Sequence, residues 1–498
     1  MVRRVLIGLV IVVALAALGI YWFFSGDGVR VALEHQATAW LGQPVHIGRA
    51  TVSFVPRIGL RLADVSVGEP PRLALSRVDL STGLQPLLSR RIEDAELIVS
   101  GSRIEMPVPF GLPTQPATAS TTGGAAADGD AGITVESIRE ITLRDVVIVS
   151  RGREITVSAD SSFAGDQLTL SSLTARSGDT RLSASGTLQM APRPIATIQA
   201  TANQLDFDDL LALAAAFTSD TGSATSTTNA TQITATLTSP RARLAGVELS
   251  RFEASILADG SEVRIEPLKF DIFGGRQDGW LDVTFGDTLN VRVGAGVSNL
   301  DVALLAAFGG ISDTVTGRLY GSGRFGARGR NMAEVLSAAR GVGEVMLSDG
   351  TIRHLDVVRT VVLFFGRPAN DAPAANGERY DSMSATFALA DRVVRSDDLT
   401  LRSPDFDVFT RGTLALPTKA LDARGELVLS EGLSAQAGRD LYRFTRSGNR
   451  VVLPAVITGT VAQPRVRIDA AAAARRGIQN EIERRLEDLL ERVKPRLP

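Results

Sequence analysis

The glycine-rich string GSGRFG, residues 321 to 326, is the first part of this sequence whose spacing could support chemistry. It fits the G-x-G-x-x-G pattern, in which glycines let a strand-to-helix turn approach the pyrophosphate of a dinucleotide. That function requires a parallel strand before the string and a helix after it. Here the string lies inside the alternating run GRLYGSGRFGARG, without a βαβ unit around it. The pattern therefore favours glycines in a bent or crowded strand over a nucleotide site.

Adjacent aspartates occur as Asp208–Asp209 and as Asp397–Asp398, and paired carboxylates can act as general acid and base. Neighbouring residues of a strand point to opposite faces, so we expect neither pair to share a single site. The sequence contains no G-x-S-x-G elbow, no H-E-x-x-H pair and no Walker A loop. We therefore assign no catalytic residues and predict that the protein is not an enzyme.

Metal and cofactor chemistry has equally little support in the composition. The chain has no cysteine, which excludes disulfides, thiolate metal sites and cysteine catalysis. His35, His46 and His354 are too few and too scattered for a histidine cluster, so we predict no metal and no cofactor. The 53 basic and 55 acidic residues leave the chain nearly neutral and without a basic block, which argues against a nucleic-acid partner.

Apolar and polar residues alternate along most of the chain, and residues 262 to 285 show the pattern clearly. A period of two residues predicts strands that are apolar on one face and solvated on the other. In this hairpin and the strand after it, the candidate contact residues are Val263, Ile265, Leu268, Phe270, Ile272, Leu281, Val283, Phe285, Val291 and Val293.

The apolar faces of these strands must be covered, because removing apolar surface from water is worth about 25 cal/mol per Å². The short helices that we predict at 206–217, 301–308 and 331–339, two of them with aspartate N-caps at Asp206 and Asp301, are too few to cover a large sheet. Two alternatives stay open: a closed β-sandwich, or an open trough that takes up acyl chains. A lining of Val, Leu, Ile and Phe without convergent polar groups fits a carrier better than an enzyme pocket.

A divergent repeat runs through the β-rich part of the chain. LTARSGDTRLSASGTL (173–188) matches LTLRSPDFDVFTRGTL (399–414), and the hairpin at 262–285 is a looser third copy. Each copy has a glycine inside its second strand, where glycine marks a bulge or a close backbone approach; these are Gly186, Gly279 and Gly412. The uneven spacing of the copies indicates a duplicated β architecture with long insertions.

The N-terminus contains an uncharged stretch of 20 residues, 5 to 24, preceded by Arg3 and Arg4. As a helix it would be about 30 Å long, which matches the hydrocarbon core of a bilayer. We predict a transmembrane anchor here, and the positive-inside rule places residues 1–4 in the cytoplasm and the rest of the chain outside.

Two aromatic residues, Tyr21 and Trp22, lie where an interfacial aromatic belt of the anchor belongs. The alternative to an anchor is a cleavable signal peptide, because ALAA at 14–17 offers small residues for cleavage. Cleavage there would leave a mature chain that begins near LGIYWFF, which is a poor soluble terminus. The sequence therefore favours a retained anchor.

Four regions are predicted after the anchor: an α/β entry region (28–106), a low-complexity loop (107–132), a repetitive β body (133–469) and an amphipathic C-terminal helix (470–498). Two further low-complexity segments, 218–231 and 366–377, are predicted loops within the body. The alternative is that they are linkers between domains.

The C-terminal helix has a single apolar stripe with Arg and Glu opposite it. The stripe consists of Ile478, Ile482, Leu486, Leu489, Leu490 and Val493. We predict that this helix caps the end of the sheet; the alternative is a helix that docks on a partner or a membrane surface.

Two stretches of the chain resemble the AsmA family, whose members are anchored in the inner membrane of Gram-negative bacteria. LGQPVHIGRATVSFVPRIGLRLADVSVG (41–68) is similar to the segment after the membrane helix, and residues 300–356 are similar to the C-terminal region, which would extend over about 300–430. The most specific part is the helix NMAEVLSAA followed by GVGEVMLSDGTIRHLD.

The resemblance implies a mainly β fold in which a long curved, largely antiparallel sheet forms a groove, as in chorein-type bridge proteins. It also implies a periplasmic protein, held in the inner membrane by one helix, that carries phospholipid for outer-membrane biogenesis. The ten candidate contact residues would then face the lipid. The alternative function is a periplasmic scaffold factor that assists outer-membrane protein assembly and binds a protein partner.

Overall fold

A computed structural model of the chain describes residues 30–486, apart from 32, 36, 39–42, 54–56, 84–90, 107–133, 136, 151, 191–192, 211–230, 245, 367–376, 438–444, 476–477, 479–481 and 483–484. Strands make up 68% of the described residues and the helices are few and short. The prediction of a mainly β protein is therefore confirmed.

Several predicted features lie outside the described residues. They are the anchor at 5–24 with Arg3, Arg4, Tyr21 and Trp22, the loop at 107–132, and nearly all of the loops at 218–231 and 366–377. Among the residues that are described, no helix is both long enough and apolar enough to cross a membrane.

The chain divides into two compact units between Gly260 and Ser261, a position inside the predicted body 133–469. The strands of the first unit are β1 (Val45–Ser53), β2 (Ile58–Val67), β3 (Leu73–Thr82), β4 (Arg91–Ile92), β5 (Ala95–Ser100), β6 (Arg103–Glu105), β7 (Thr134–Val135), β8 (Ser137–Ser150), β9 (Arg153–Ala164), β10 (Gln167–Ser177), β11 (Thr180–Gln189), β12 (Ile195–Asp206), β13 (Gln232–Leu244) and β14 (Val247–Asp259). Residues 30–38 and 207–210 include helical turns.

The second unit contains the remaining strands and four short helices. In chain order these are β15 (Glu262–Ile272), β16 (Gly275–Thr284), β17 (Leu289–Asp301), α1 (Val302–Phe308), β18 (Arg318–Gly329), α2 (Met332–Ser337), β19 (Arg340–Ile352), α3 (Val357–Phe364), β20 (Glu378–Ala390), β21 (Val393–Arg402), β22 (Phe406–Ala415), β23 (Ala420–Leu429), α4 (Glu431–Ser434), β24 (Arg446–Ser447), β25 (Arg450–Thr460) and β26 (Pro464–Ile468). A helical segment at 470–475 follows.

Strand pairing in the first unit is largely antiparallel, as predicted, but mixed. Strands β1, β2 and β3 pair in order, and β8 to β12 do the same. Parallel pairs join β5 and β6 to β8, and β12 to β13. Parallel neighbours need a crossover connection. Residues 106–136 lie between β6 and β8, and residues 207–231 lie between β12 and β13.

The second unit is an antiparallel meander. Each strand from β15 to β23 pairs with the next one, and β23, β25 and β26 continue the series. Connections that join antiparallel neighbours can be short turns, and α1, α2 and α3 are inserted into three of them.

A bulge opposite a glycine recurs in three hairpins. The pairing register shifts between Leu170 and Leu173 in β10, between Ile265 and Leu268 in β15, and between Ser396 and Leu399 in β21. Beside these bulges, the second strands carry the three predicted glycines, Gly186, Gly279 and Gly412. A Cβ at any of the three would collide with the backbone of the next strand. The predicted repeat and the predicted role of its glycines are thus confirmed.

The predicted helix starts at aspartate are confirmed in part. Asp301 caps α1 by accepting hydrogen bonds from the amides of Ala303 and Leu304, at 2.9 and 3.3 Å. Asp206 accepts from the amide of Asp208 at 2.9 Å and precedes the helical turn at 207–210. The rest of the helix predicted at 206–217 lies outside the described residues. The helix predicted at 331–339 is α2, which Asn331 caps by accepting from the amide of Glu334.

The sequence analysis does not predict helix α3, which packs into a hydrophobic core of the second unit. Its sequence, VVRTVVLF, is rich in β-branched residues that favour strands. Tertiary packing overrides that preference, because Val357, Val361 and Val362 are 0 to 4% exposed in a cluster with Phe406 and Leu453. A smaller cluster in the first unit joins β1 and β2 to Leu33 and other residues of the helical segment at 30–38.

Candidate functional site

One side of the sheet in the second unit carries an apolar row that crosses eleven strands. Cross-strand partners present their side chains on the same face. The row passes in register through Ile265, Leu281, Val293, Phe325, Gly341, Leu389, Val394, Leu414, Leu421, Gly459 and Pro464. We name this side of the sheet the apolar face.

Every member of this row is half-buried. On β19 the contrast between the two faces is direct: Gly341, Gly343 and Val345 are half-buried, whereas the intervening Val342 and Glu344 are exposed. The side chains of the apolar face therefore cover one another in part and remain partly exposed to water.

The bulge in β15 explains how the predicted contact residues come to lie together. Val263 and Ile265 have odd numbers and Leu268 has an even one, so a regular strand would place them on opposite faces. The register shift at Glu266–Pro267 restores the face, because Ile265 pairs with Leu281 and Leu268 pairs with Gly279.

The structure places nine of the ten predicted contact residues at half-buried positions of β15, β16 and β17 in register with one another. These are Val263, Ile265, Leu268, Phe270, Ile272, Leu281, Val283, Val291 and Val293. The tenth, Phe285, follows the end of β16 and is 54% exposed.

The opposite face of the same strands is charged. Arg264 Nε donates to Asp282 Oδ1 at 2.9 Å, and Arg292 Nη2 donates to Asp282 Oδ2 at 3.1 Å. The hydrogen bond with Asp282 raises the pKa of the Arg264 guanidinium. A charged face and an apolar face thus share the same three strands, and only the apolar one suits a hydrocarbon ligand.

A second row on the apolar face is buried beneath helices. It passes through Leu347, Met383, Leu401, Val408, Leu427 and Leu453. Five of these side chains are 0 to 7% exposed and belong to the cluster that contains α3 and Leu433 of α4. Helix α3 also packs against β26. Helices α3 and α4 therefore cover the part of the apolar face that carries the second row. The residues of the eleven-strand row remain partly accessible to solvent.

Two contacts connect distant parts of this sheet. Helix α3 lies between β19 and β20 in sequence, yet it packs against β26. Lys419, in the turn between β22 and β23, donates from Nζ to the carbonyl oxygens of Gly309 and Gly310 at 2.8 and 3.3 Å, at the C-terminal end of α1. A cation at a helix C-terminus is electrostatically favourable.

A buried carboxyl group lies at the N-terminus of α3. Glu378 is 9% exposed, and it accepts a hydrogen bond from the amide of Val358 at 2.8 Å. Burial is the main cause that raises the pKa of Glu378 to about 7; the helix amides of Val358 and Val357 oppose the shift, and the nearby Asp356 and Asp405 add to it. This carboxyl group therefore titrates close to neutral pH.

Glu378 is expected to make the second unit less stable as the pH rises. The folded-state pKa of about 7 lies above the usual glutamate value of 4.5, so the stabilisation is complete below pH 4.5 and is lost as the pH rises through 7. The loss amounts to about 3 kcal/mol in the free energy of unfolding. Glu378→Gln should flatten this dependence in denaturant unfolding between pH 4.5 and 8, and Glu262→Gln, at an exposed position, should not. Identical slopes for wild type and Glu378→Gln would contradict the assignment.

The first acidic pair does not behave as predicted. Asp208 and Asp209 lie in a helical turn within the helix predicted at 206–217, and both carboxylates meet the guanidinium of Arg153. The prediction that they cannot share a site is therefore wrong. Asp209 is buried and also accepts hydrogen bonds from Ser177 and Thr180, at 3.1 and 2.6 Å. These hydrogen bonds have a structural role, because they connect the turn between β10 and β11 to the helical turn that follows β12.

The second pair, Asp397 and Asp398, lies in β21. Asp398 accepts hydrogen bonds from the amide and hydroxyl of Thr386, both at 2.8 Å, and these lower the pKa of its carboxyl group. The string 321–326 lies within β18, between antiparallel neighbours, and so has no βαβ context. Among the described residues, no group of three or more His, Cys, Asp or Glu could hold a metal ion.

The described part of the C-terminal stripe is not packed. Ile478, Ile482 and Leu486 are 63, 60 and 58% exposed, so the predicted cap on the sheet is wrong for these three side chains. The last strand, β26, is instead packed against α3. Leu489, Leu490 and Val493 lie outside the described residues.

Comparison of this chain with protein families, with curated proteins and with solved structures finds no match. The class that the described fold defines is a β-meander protein with a one-sided apolar sheet. The resemblance to the AsmA family rests on the stretches 41–68 and 300–356 and stays a prediction.

Proposed function

We propose that this protein binds phospholipid by its acyl chains along the apolar face and transfers it between membranes in outer-membrane biogenesis. The anchor predicted at 5–24 would hold the chain in the inner membrane with its bulk in the periplasm. No chemical step is assigned to it, because the proposed task is binding and transfer.

The observation that carries this proposal is the half-buried row across eleven strands. In a closed sandwich, a facing sheet buries the inner side chains. The row beneath α3 and α4 has that character, with Leu427 at 1% and Leu453 at 0% exposed. The row through Leu281, Val293 and Phe325 does not, since its members remain half-exposed. Acyl chains suit such a surface, because each buried CH₂ contributes about 0.8 kcal/mol without a hydrogen bond.

Contacts between distant strands support a concave apolar face. Five strand spacings separate β20 from β26, which is about 24 Å in a flat sheet. Helix α3 has eight residues and a length of about 12 Å, yet it starts beside β20 through Glu378 and packs against β26. Curvature of the sheet around α3 accounts for both contacts, and a concave wall suits a groove. The resemblance to the AsmA family points to the same function.

Photo-crosslinking tests the proposal on adjacent residues of one strand. Val291 lies on the apolar face and Arg292 on the charged face of β17. With a photoreactive amino acid at either position of the full chain in cells, we expect phospholipid adducts at Val291 and none at Arg292. Mass spectrometry of the irradiated protein identifies the adduct. Equal labelling of the two positions, or no labelling at Val291, would refute a lipid path on this face.

A scaffold that assists assembly of outer-membrane proteins is the second candidate function. The exposed stripe of Ile478, Ile482 and Leu486 favours it, because an apolar stripe at helical spacing can dock on a polypeptide. This function predicts that removal of residues 471–498 abolishes binding of barrel precursors. Lipid transfer along the apolar face predicts instead that the lipid adduct at Val291 survives the truncation.

A further inference from the structure

Two buried side-chain atoms in the described part of the chain have no hydrogen-bond partner there, Gln277 Oε1 and Thr410 Oγ1. Both belong to the apolar face of the second unit: Gln277 pairs with Phe270, and Thr410 pairs with Gly425, two residues from the buried Leu427. Buried polar groups in folded proteins are normally paired. That both exceptions lie on the proposed lipid path is the starting point for an inference about the ligand.

The nearest residues to Gln277 on the apolar face carry no polar side chain. Its cross-strand neighbours are Phe270 on β15 and Val297 on β17. Along β16, the residues on the same face are Gly275 and Gly279, which have no side chain that could pair with the amide. Gln277 is 7% exposed, so it is shielded from bulk water by these neighbours. The site is a single amide in a hydrocarbon-like wall, and its Nε2 lies over Gly279, 2.8 Å from the position that a Cβ would take there.

The chemistry of the amide selects among acyl ligands. Oε1 needs a donor, and a plain acyl chain has neither donor nor acceptor. An ester carbonyl offers acceptors only, whereas a hydroxyl both donates to Oε1 and accepts from the amide N–H. The terminal torsion of glutamine is broad, so the amide can turn towards a ligand on the face. A hydroxyl group on the hydrocarbon is therefore the group that pairs the unpartnered atom.

We propose that Gln277 makes the apolar face selective for acyl chains that carry a hydroxyl group. This inference rests on the proposed function, since it requires that acyl chains lie on the apolar face. Gln277 acts as a specificity-determining residue, and a leucine at the same position would line the face equally well for a plain chain.

Competition for one photoactivatable ligand tests the selectivity. The full chain, in a mild detergent at fixed concentration, is labelled with a diazirine derivative of tetradecanoic acid. Tetradecanoic acid and 3-hydroxytetradecanoic acid then compete for the labelling. One additional hydrogen bond predicts that the hydroxylated acid competes about fivefold more strongly with the wild-type protein. Gln277→Leu should bring this ratio to about one.

A matched control and the possible outcomes separate this inference from the function on which it rests. Gln199 is an exposed glutamine of β12 in the first unit, so Gln199→Leu should keep the wild-type ratio. Saturable labelling with a ratio of one in the wild type, or an unchanged ratio in Gln277→Leu, overturns the selectivity and leaves the proposed function standing. Absence of saturable labelling overturns both. Replacing a buried amide whose Oε1 has no partner by leucine should not impair folding, and circular dichroism of the variant verifies this.

Discussion

Val293→Asp is expected to reduce the phospholipid that co-purifies with the full chain by at least about tenfold, which corresponds to about 1.4 kcal/mol of binding free energy. Val293 belongs to the half-buried row, in which its neighbours are Leu281 and Phe325. A carboxylate at this position would have to lose its hydration when acyl chains lie against the row, and an unpaired charge in an apolar environment is strongly disfavoured. Lipid mass spectrometry on the purified protein measures the effect.

The matched control places the same charge on the same strand but on the opposite face. Ser298 of β17 is exposed and pairs with Arg276, so Ser298→Asp puts a carboxylate where it is solvated and beside a cation. This variant should retain the wild-type amount of lipid. Lipid loss of the same size in both variants would indicate a general effect of charge, and full retention in Val293→Asp would exclude the row from lipid binding.

Phe406→Ala is expected to lower the free energy of unfolding by about 3–5 kcal/mol, the usual cost of truncating a buried aromatic side chain. Phe406 is 0% exposed in the cluster that covers one end of the apolar face. Its truncation leaves a cavity that neighbouring side chains fill only in part. Denaturant unfolding of the full chain, followed by circular dichroism, measures the change.

The same strand supplies the control for this prediction. Phe409 is on the charged face of β22 and is 43% exposed, so Phe409→Ala should change the free energy of unfolding by less than about 1 kcal/mol. Comparable destabilisation by the two substitutions would mean that the cluster around α3 is not the principal core of the second unit.

The apolar face could be predicted from the sequence because it depends on a local pattern of alternating residues. Alternation along β15, β16 and β17 assigns Leu281, Val283, Val291 and Val293 to one side, and short turns fix which strands pair. The repeated glycines likewise predicted the irregularities of three hairpins. Such features depend on residues that are close in sequence, and sequence patterns capture them.

Features that depend on distant partners were missed. Helix α3 consists of residues that favour strands, and only its packing against β26 and the cluster around Phe406 makes it helical. Local sequence presents Asp209 only as one half of an acidic pair. It does not predict the contact with Arg153, which precedes Asp209 by 56 residues. The parallel pairing of β12 with β13 also joins segments that no local signal relates. For Gln277, the available sequence signal was that it is a polar residue among the odd-numbered positions of β16, which lie on the apolar face.

The meander of the second unit has a consequence for how the chain acquires its structure. Closing a loop costs entropy that grows with the length of the loop. Strands β15 and β16 are joined by two residues, so this hairpin can form within microseconds. Later strands can then be added to it one by one. Pairing of β12 with β13 must first close the segment 207–231. Emergence of the polypeptide from its N-terminal end therefore matches the order in which the strands of the second unit can be added, because each strand pairs with the edge of the one before it.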